Sequence, residues 1–218
     1  LKIGGNLKME TRTVNLYRFC ELNEKAQQKI INKNIDMFID DFENDANYLK
    51  DLWLQDLKEA GFNCVTNDIH YSGFYSQGDG LSFTCNNINT AAVLAYAEKH
   101  GYEKEVCFLR TMPSFNDVQA SISFIVVRTI HRYVHKYSVT VRENTADTLI
   151  EAPQTSYIAD KIYALIEQVR IDLCDKFYNK LEQEWEEIQS FDYVFDWFSN
   201  CDNNLYLKNG RRWVESEA

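Results

Sequence analysis

Two prolines, Pro113 and Pro153, and eight glycines in 218 residues leave few places where this chain can break or turn sharply. Long Pro-rich linkers are excluded, and with them a string of loosely tethered modules. The six cysteines never form a Cys-x-x-Cys pair, which excludes a zinc ribbon and a thioredoxin-type motif. No long apolar run and no signal-peptide pattern is present, so the expectation is a protein of a reducing cytoplasm, with no membrane partner. Basic residues are outnumbered 23 to 33, for a net charge of −10. That balance argues against a general grip on phosphate backbones, so direct nucleic-acid binding is not expected.

What is present is an ordinary apolar share, 45%, with aromatics at 14%. One core of this size needs neither disulfides nor metal. The cysteines, mostly among apolar neighbours, read as small core residues. The acid is concentrated. Residues 36–60 carry eight acids against two lysines, and residues 182–202 carry seven acids and no base. Asp40, Asp41, Glu43, Glu184, Glu186 and Glu187 are the acidic interface candidates; such segments keep a protein soluble or steer it to a partner.

Residues 11–19 suit an opening strand. Ile31, Ile35, Phe38, Ile39 and Phe42 recur at helical spacing. A break near Glu43 predicts a turn into a second, antiparallel helix that carries Leu49, Leu52, Trp53 and Leu57 and stops at Gly61. Residues 67–71 and 81–85 read as two strands around a glycine-rich loop. Helices follow over 89–100 and 103–109. Alternation over 121–130 and 137–141 predicts a second hairpin bending near Arg132-Tyr133. Pro153 precedes a helix of about seven turns, with Ile162, Leu165, Ile166, Val169, Leu173, Phe177 and Leu181 on one stripe. Ser190 begins another segment, and residues 206–210 suit an edge strand. The order of elements predicts an α+β fold. It is a single domain over residues 10–212, with a mostly antiparallel sheet built from two hairpins, covered by helices and closed by one long C-terminal helix. Residues 1–9 read as a disordered extension that looks like upstream sequence, and 213–218 as a frayed tail.

Three of the eight glycines, Gly73, Gly78 and Gly80, fall in the first hairpin loop. Glycine there allows positive φ or close approach of another group. Phe74 and Tyr75 offer stacking surface; Ser76, Gln77 and Asp79 offer hydrogen bonds. The loop is neither a P-loop nor a dinucleotide fingerprint, because no Gly-Lys-Ser/Thr follows and a strand stands where a helix should. A recognition loop and a purely structural turn both fit. The second hairpin supplies Arg128, His131, Arg132, Tyr133 and His135, bases interleaved with aromatics. It fits a nucleotide or single strand, or a solvated strand pair offsetting the acidic helices. His131 and His135 on one strand would lie about 13 Å apart, too far for one metal unless the bend closes the gap and brings them with His70 and Asp68 or Asp79 into a metal site or acid–base cluster. No catalytic residue, metal site or cofactor is expected.

The segment Leu16-Tyr-Arg-Phe-Cys-Glu-Leu-Asn-Glu-Lys-Ala26 resembles the opening of a family of phage and prophage proteins sometimes labelled as an antitoxin of a toxin–antitoxin stability system. The loop Tyr71-Ser-Gly-Phe-Tyr-Ser-Gln-Gly-Asp-Gly-Leu-Ser-Phe83 is similar to that family's most specific motif. The hairpin with His131, Tyr133 and His135 and the ending over 203–211 are also alike, though the bend lacks the family's glycine. The resemblance covers about residues 16–212. It implies a mobile-element origin and no mechanism, and carries over no catalytic residue. The functional expectation is a non-enzymatic binding protein that blocks a host bacterial protein or nucleoprotein complex, such as a CRISPR effector, by acidic contact. The alternatives are a nucleotide-binding or nucleotide-cleaving protein using residues 73–80 and the basic hairpin, and an antitoxin-like regulator.

Overall fold

No glycine or proline interrupts residues 24–59, and the apolar positions Phe38, Phe42, Ala46, Leu49, Trp53 and Leu57 keep one helical phase throughout. A computed structural model, which describes residues 13–144 and 153–214, accordingly has one helix, α1, over Glu24–Glu59. The turn expected near Glu43 is absent. Interior Asn and Asp cost a helix only tenths of a kcal/mol each, about 0.5, and the continuous stripe outweighs them. Asn23 caps the start, its Oδ1 accepting from the Ala26 amide at 3.0 Å.

The remaining order is β1 (Ile69–Ser72), β2 (Gly80–Phe83), α2 (Thr90–Lys99), α3 (Glu103–Arg110), α4 (Phe115–Ser121), β3 (Phe124–Arg128), β4 (Val139–Glu143), α5 (Pro153–Ile188) and α6 (Phe191–Asn200). The fold is α+β and mostly helical, with two antiparallel two-stranded sheets, β1–β2 and β3–β4. The strand expected over 121–130 starts only at Phe124, because Ser121 closes α4. Opening residue Tyr17 makes a single bridge to Tyr206 before a 3-10 turn at Phe19–Glu21. Of the six cysteines only Cys85 and Cys174 are buried; Cys20, Cys107 and Cys201 are exposed, since they fall off their helices' and turns' apolar faces. Among the described residues no helix is long and apolar enough to cross a membrane. The expected disordered extension, residues 1–9, and most of the frayed tail lie outside the described residues.

Contacts divide the chain into two units, 43–184 and the remainder; α1 and α5 contribute residues to both. In the 43–184 unit the two sheets meet where Cys85 and Val126 exchange backbone hydrogen bonds of 3.1 and 2.8 Å. The α5 stripe Ile162, Ile166, Val169, Leu173 and Phe177 is buried there, as are Phe83, Phe124, Val126 and Val141. Trp53 of α1 stacks on Phe177 of α5 with centroids 4.8 Å apart and planes at 9°. The other unit has its own core of Phe19, Leu22, Ala26, Ile30, Ile31, Phe38, Val194, Phe198 and Tyr206. Its rings interlock edge to face, as Phe38 does with Trp197 (5.3 Å, 84°).

Candidate functional site: two hairpin loops packed as one tip

The β1–β2 loop folds around Asp79. Its carboxylate accepts from the amides of Tyr75 (2.9 Å) and Ser76 (2.6 Å), and its own amide donates to the Ser76 carbonyl (3.0 Å). Gly73, at φ +27°, is required here: a Cβ would meet the Asp79 carboxylate at 2.5 Å. Burial raises the Asp79 pKa, but the amide hydrogen bonds win and hold it below the ordinary carboxylate value. Asp79 is therefore the loop's internal cap. Phe74 also turns inward, stacked between Tyr178 of α5 (5.6 Å, 25°) and Tyr71 of β1 (6.5 Å, 27°). The Tyr178 hydroxyl donates to the Gly73 carbonyl at 3.0 Å. Tyr75, Ser76 and Gln77 are left on the outside, and Tyr75 is 80% exposed.

The second loop, residues 129–138, lies directly on the first. A Cβ at Gly78 would stand 2.7 Å from the Tyr133 ring, and one at Gly80 would stand 2.8 Å from the His135 ring and 3.2 Å from its Cα. Ser72 Oγ donates to the Val134 carbonyl at 3.2 Å. Glycine at 78 and 80 thus serves close approach of the neighbouring loop, with no positive φ at either position. His135 is structural: its Nδ1 accepts from the Tyr137 amide at 3.3 Å, and its carbonyl takes the Ser138 hydroxyl at 2.6 Å. Lys136 pairs with Asp175 of α5 at 2.5 Å, which raises its pKa.

Beneath the second loop sits Arg170 of α5, the largest fully buried side chain. It forks onto Glu167 (Nε to Oε2 3.0 Å, Nη2 to Oε1 2.6 Å) and donates from Nη1 to the Lys136 carbonyl at 2.7 Å. Glu167 also accepts the Val141 amide at 3.1 Å, closing the outer edge of β4. Sequence reading missed this pair. The available signal was an arginine in phase with Ile166, Cys174 and Phe177 on an otherwise apolar stripe, three residues after a glutamate.

The two loops present one crown of exposed groups: Tyr75, Ile130 (45%), Tyr133 (47%) and Tyr137 (61%), with His131 and Arg132. Arg132 lies 5.4 Å from the Tyr133 ring centroid and Lys136 5.4 Å from that of Tyr137. Arg128 does not join them. It stands opposite Val139 on β3, and its Nε and Nη2 are buried without a hydrogen-bond partner among the described residues. Burial first, then the charges of Arg128 and Lys50, lower the pKa of His70. Among the described residues no group of three or more His, Cys, Asp and Glu could hold a metal ion. Of the acidic candidates, Glu43, Glu186 and Glu187 are exposed and Glu184 half-buried, and they divide between the two units. The Asp40 and Asp41 side chains lie outside the described set.

Gly80→Ala is expected to cost about 1–3 kcal/mol, because the added methyl meets the His135 backbone. Gly78→Ala should cost well under that, since only the exposed Tyr133 ring must swing aside. Urea melts of the two variants check the order. Asp79→Ala should speed exchange of the Tyr75 and Ser76 amides roughly tenfold. In the wild type the depressed Asp79 pKa keeps this cap intact above the ordinary carboxylate range; it is lost only as pH falls through the lowered folded value. Exchange of these amides measured from pH 7 downward tests that sign.

Neither a curated protein nor a solved structure matches the chain. A family model described as a domain of unknown function, DUF8835, matches residues 35–190, which span both hairpins, the crown, most of α1 and all of α5. The chain belongs to the DUF8835 family.

Proposed function

We propose that this protein acts by binding a macromolecular partner through the crown of Tyr75, Ile130, Tyr133 and Tyr137. One observation carries the reading: two loops separated by residues 81–128 are fastened to each other and to α5, yet turn Tyr75, Tyr133 and Tyr137 outward. Rigid tyrosines lose little conformational freedom on contact, and they dominate the energetics of many interfaces. Arg132 adds positive charge beside them, suited to acidic groups on the partner, while the charge of Lys136 is met by Asp175. The acidic stretches of α1 and the end of α5 supply long-range steering rather than the contact itself.

In its finer form the proposal is inhibition of a bacterial defence component, such as a CRISPR effector; its support is the resemblance of residues 16–26 and 71–83 to phage proteins. The nucleotide reading of residues 73–80 has less support, because Asp79 already occupies the amides a phosphate would need. Size-exclusion chromatography of the protein with purified defence complexes tests the proposal. Co-elution with one of them, lost in a Tyr75→Ser/Tyr133→Ser/Tyr137→Ser variant that still melts cooperatively, is the expected result. Co-elution with none, or co-elution unaffected by the triple change, contradicts it.

A further inference from the structure

The unit outside 43–184 contains a cleft of about 390 Å³, the size of a small-ligand site. One wall is the α1 face carrying Lys29, Lys33 and Met37, spaced four residues apart. The facing wall is a hairpin over residues 205–213. There Tyr206 bridges both Tyr17 and Arg212, and the Leu207 amide donates to the Arg211 carbonyl at 2.9 Å. Gly210, at φ +79°, makes the turn and presses on α1: a Cβ there would meet the Ala26 carbonyl at 2.9 Å. This turn delivers Arg211 and Arg212 to the cleft opposite the two lysines.

Among the described residues, Lys29, Lys33, Arg211 and Arg212 line this concavity of a protein that is acidic overall, and no carboxylate does. Among the described residues Lys29, Lys33 and Arg212 form no ion pair. The neighbouring Asp202 is already engaged by the Asn204 amide, the Asn204 side chain and the Tyr206 hydroxyl. The three unpaired cations Lys29, Lys33 and Arg212 give the concavity a positive field that attracts an anion. The wall also carries Trp197, held edge to face by Phe38 and Phe198 and half-buried at the cleft. An aromatic plane beside clustered Lys and Arg suits a base attached to phosphates. We propose that this cleft binds a phosphate-bearing nucleotide, with its phosphates among Lys29, Lys33 and Arg212 and its base against Trp197. The site is separate from the crown, so either can fail alone.

The test is calorimetric titration of the full chain with ATP, ADP, AMP, pyrophosphate and inorganic phosphate. A nucleoside di- or triphosphate should bind in the micromolar range, and pyrophosphate roughly tenfold or more weaker. Lys29→Gln/Lys33→Gln changes two exposed helix positions to another good helix former, so the fold is kept. That variant should lose roughly tenfold or more in nucleotide affinity and show a weaker salt dependence. No heat with any nucleotide up to millimolar concentration overturns the proposal. So does pyrophosphate binding as tightly as ADP, or a double variant that binds as the wild type does.

Discussion

Arg170→Ala is expected to cost about 3–5 kcal/mol, the largest effect of any single side-chain truncation near the crown. The guanidinium is wholly out of solvent, and three of its N–H groups are committed to Glu167 and the Lys136 carbonyl. Removing it leaves the Glu167 carboxylate without its counter-ion and the Lys136 carbonyl without its donor, and opens a cavity against Cys174. The damage should spread to the tip, because Lys136 begins the turn that carries His135, Tyr137 and Ser138. A second variant separates charge from packing. In Arg170→Met/Glu167→Gln, volume is kept, no ion is stranded, and the Gln carbonyl still accepts the Val141 amide. It should be clearly more stable than Arg170→Ala. Denaturant unfolding of both variants gives the comparison. A cost below about 1 kcal/mol for Arg170→Ala would show that the pair does not fasten β4 and its loop to α5.

Gly61→Ala is expected to cost about 2–4 kcal/mol, an unusual price for one methyl group. Gly61 ends α1 at φ +87°, with the Phe62 amide donating back to the Leu57 carbonyl at 2.8 Å. The same residue abuts the start of α2: its carbonyl accepts the Asn89 amide at 2.8 Å, and a Cβ would stand 2.7 Å from the Asn89 carbonyl oxygen and 2.9 Å from the Val93 nitrogen. Both are backbone atoms, so the methyl cannot be relieved by a side-chain rotation. Gly101 is the control. It has φ +104° but open space around it, and Gly101→Ala should cost only about 1–2 kcal/mol, from strain alone. Equal losses at the two positions would mean that the α1–α2 junction is not close-packed.

Gly61 shows how far a sequence reaches. Its role as a helix stop follows from the apolar stripe before it, whereas its contact with α2 depends on residues 28 positions away. The loop glycines behave alike. Their clustering at 73, 78 and 80 marks a special loop, but that two of them seat Tyr133 and His135 follows only from how the hairpins meet. Phe74 and Asp79 read equally well as binding groups until Tyr178 and the Tyr75 and Ser76 amides are seen to occupy them. The α1 break failed for a local reason: Glu43-Asn-Asp looks polar enough to turn, yet Phe42, Ala46 and Leu49 carry the stripe straight through it. The short helix α4 follows Pro113 and begins after Ser114 at φ +65°, a conformation no pattern of apolar residues announces. In the hairpin over 205–213 the signal was present, since Asn209-Gly210 is a strong turn dipeptide. Its meaning needed Tyr17, nearly the whole chain away, as the pairing partner.

A photo-reactive benzophenone side chain placed in turn at positions 75, 137 and 108 tests the binding tip most directly, with the protein incubated among purified bacterial defence complexes. Positions 75 and 137 lie on the crown; Phe108 is comparably exposed, on α3. The account predicts one discrete adduct from positions 75 and 137, none from 108, and loss of the adduct when Tyr133→Ser is added. Equal labelling from position 108, or no adduct from position 75 with any complex, would contradict it.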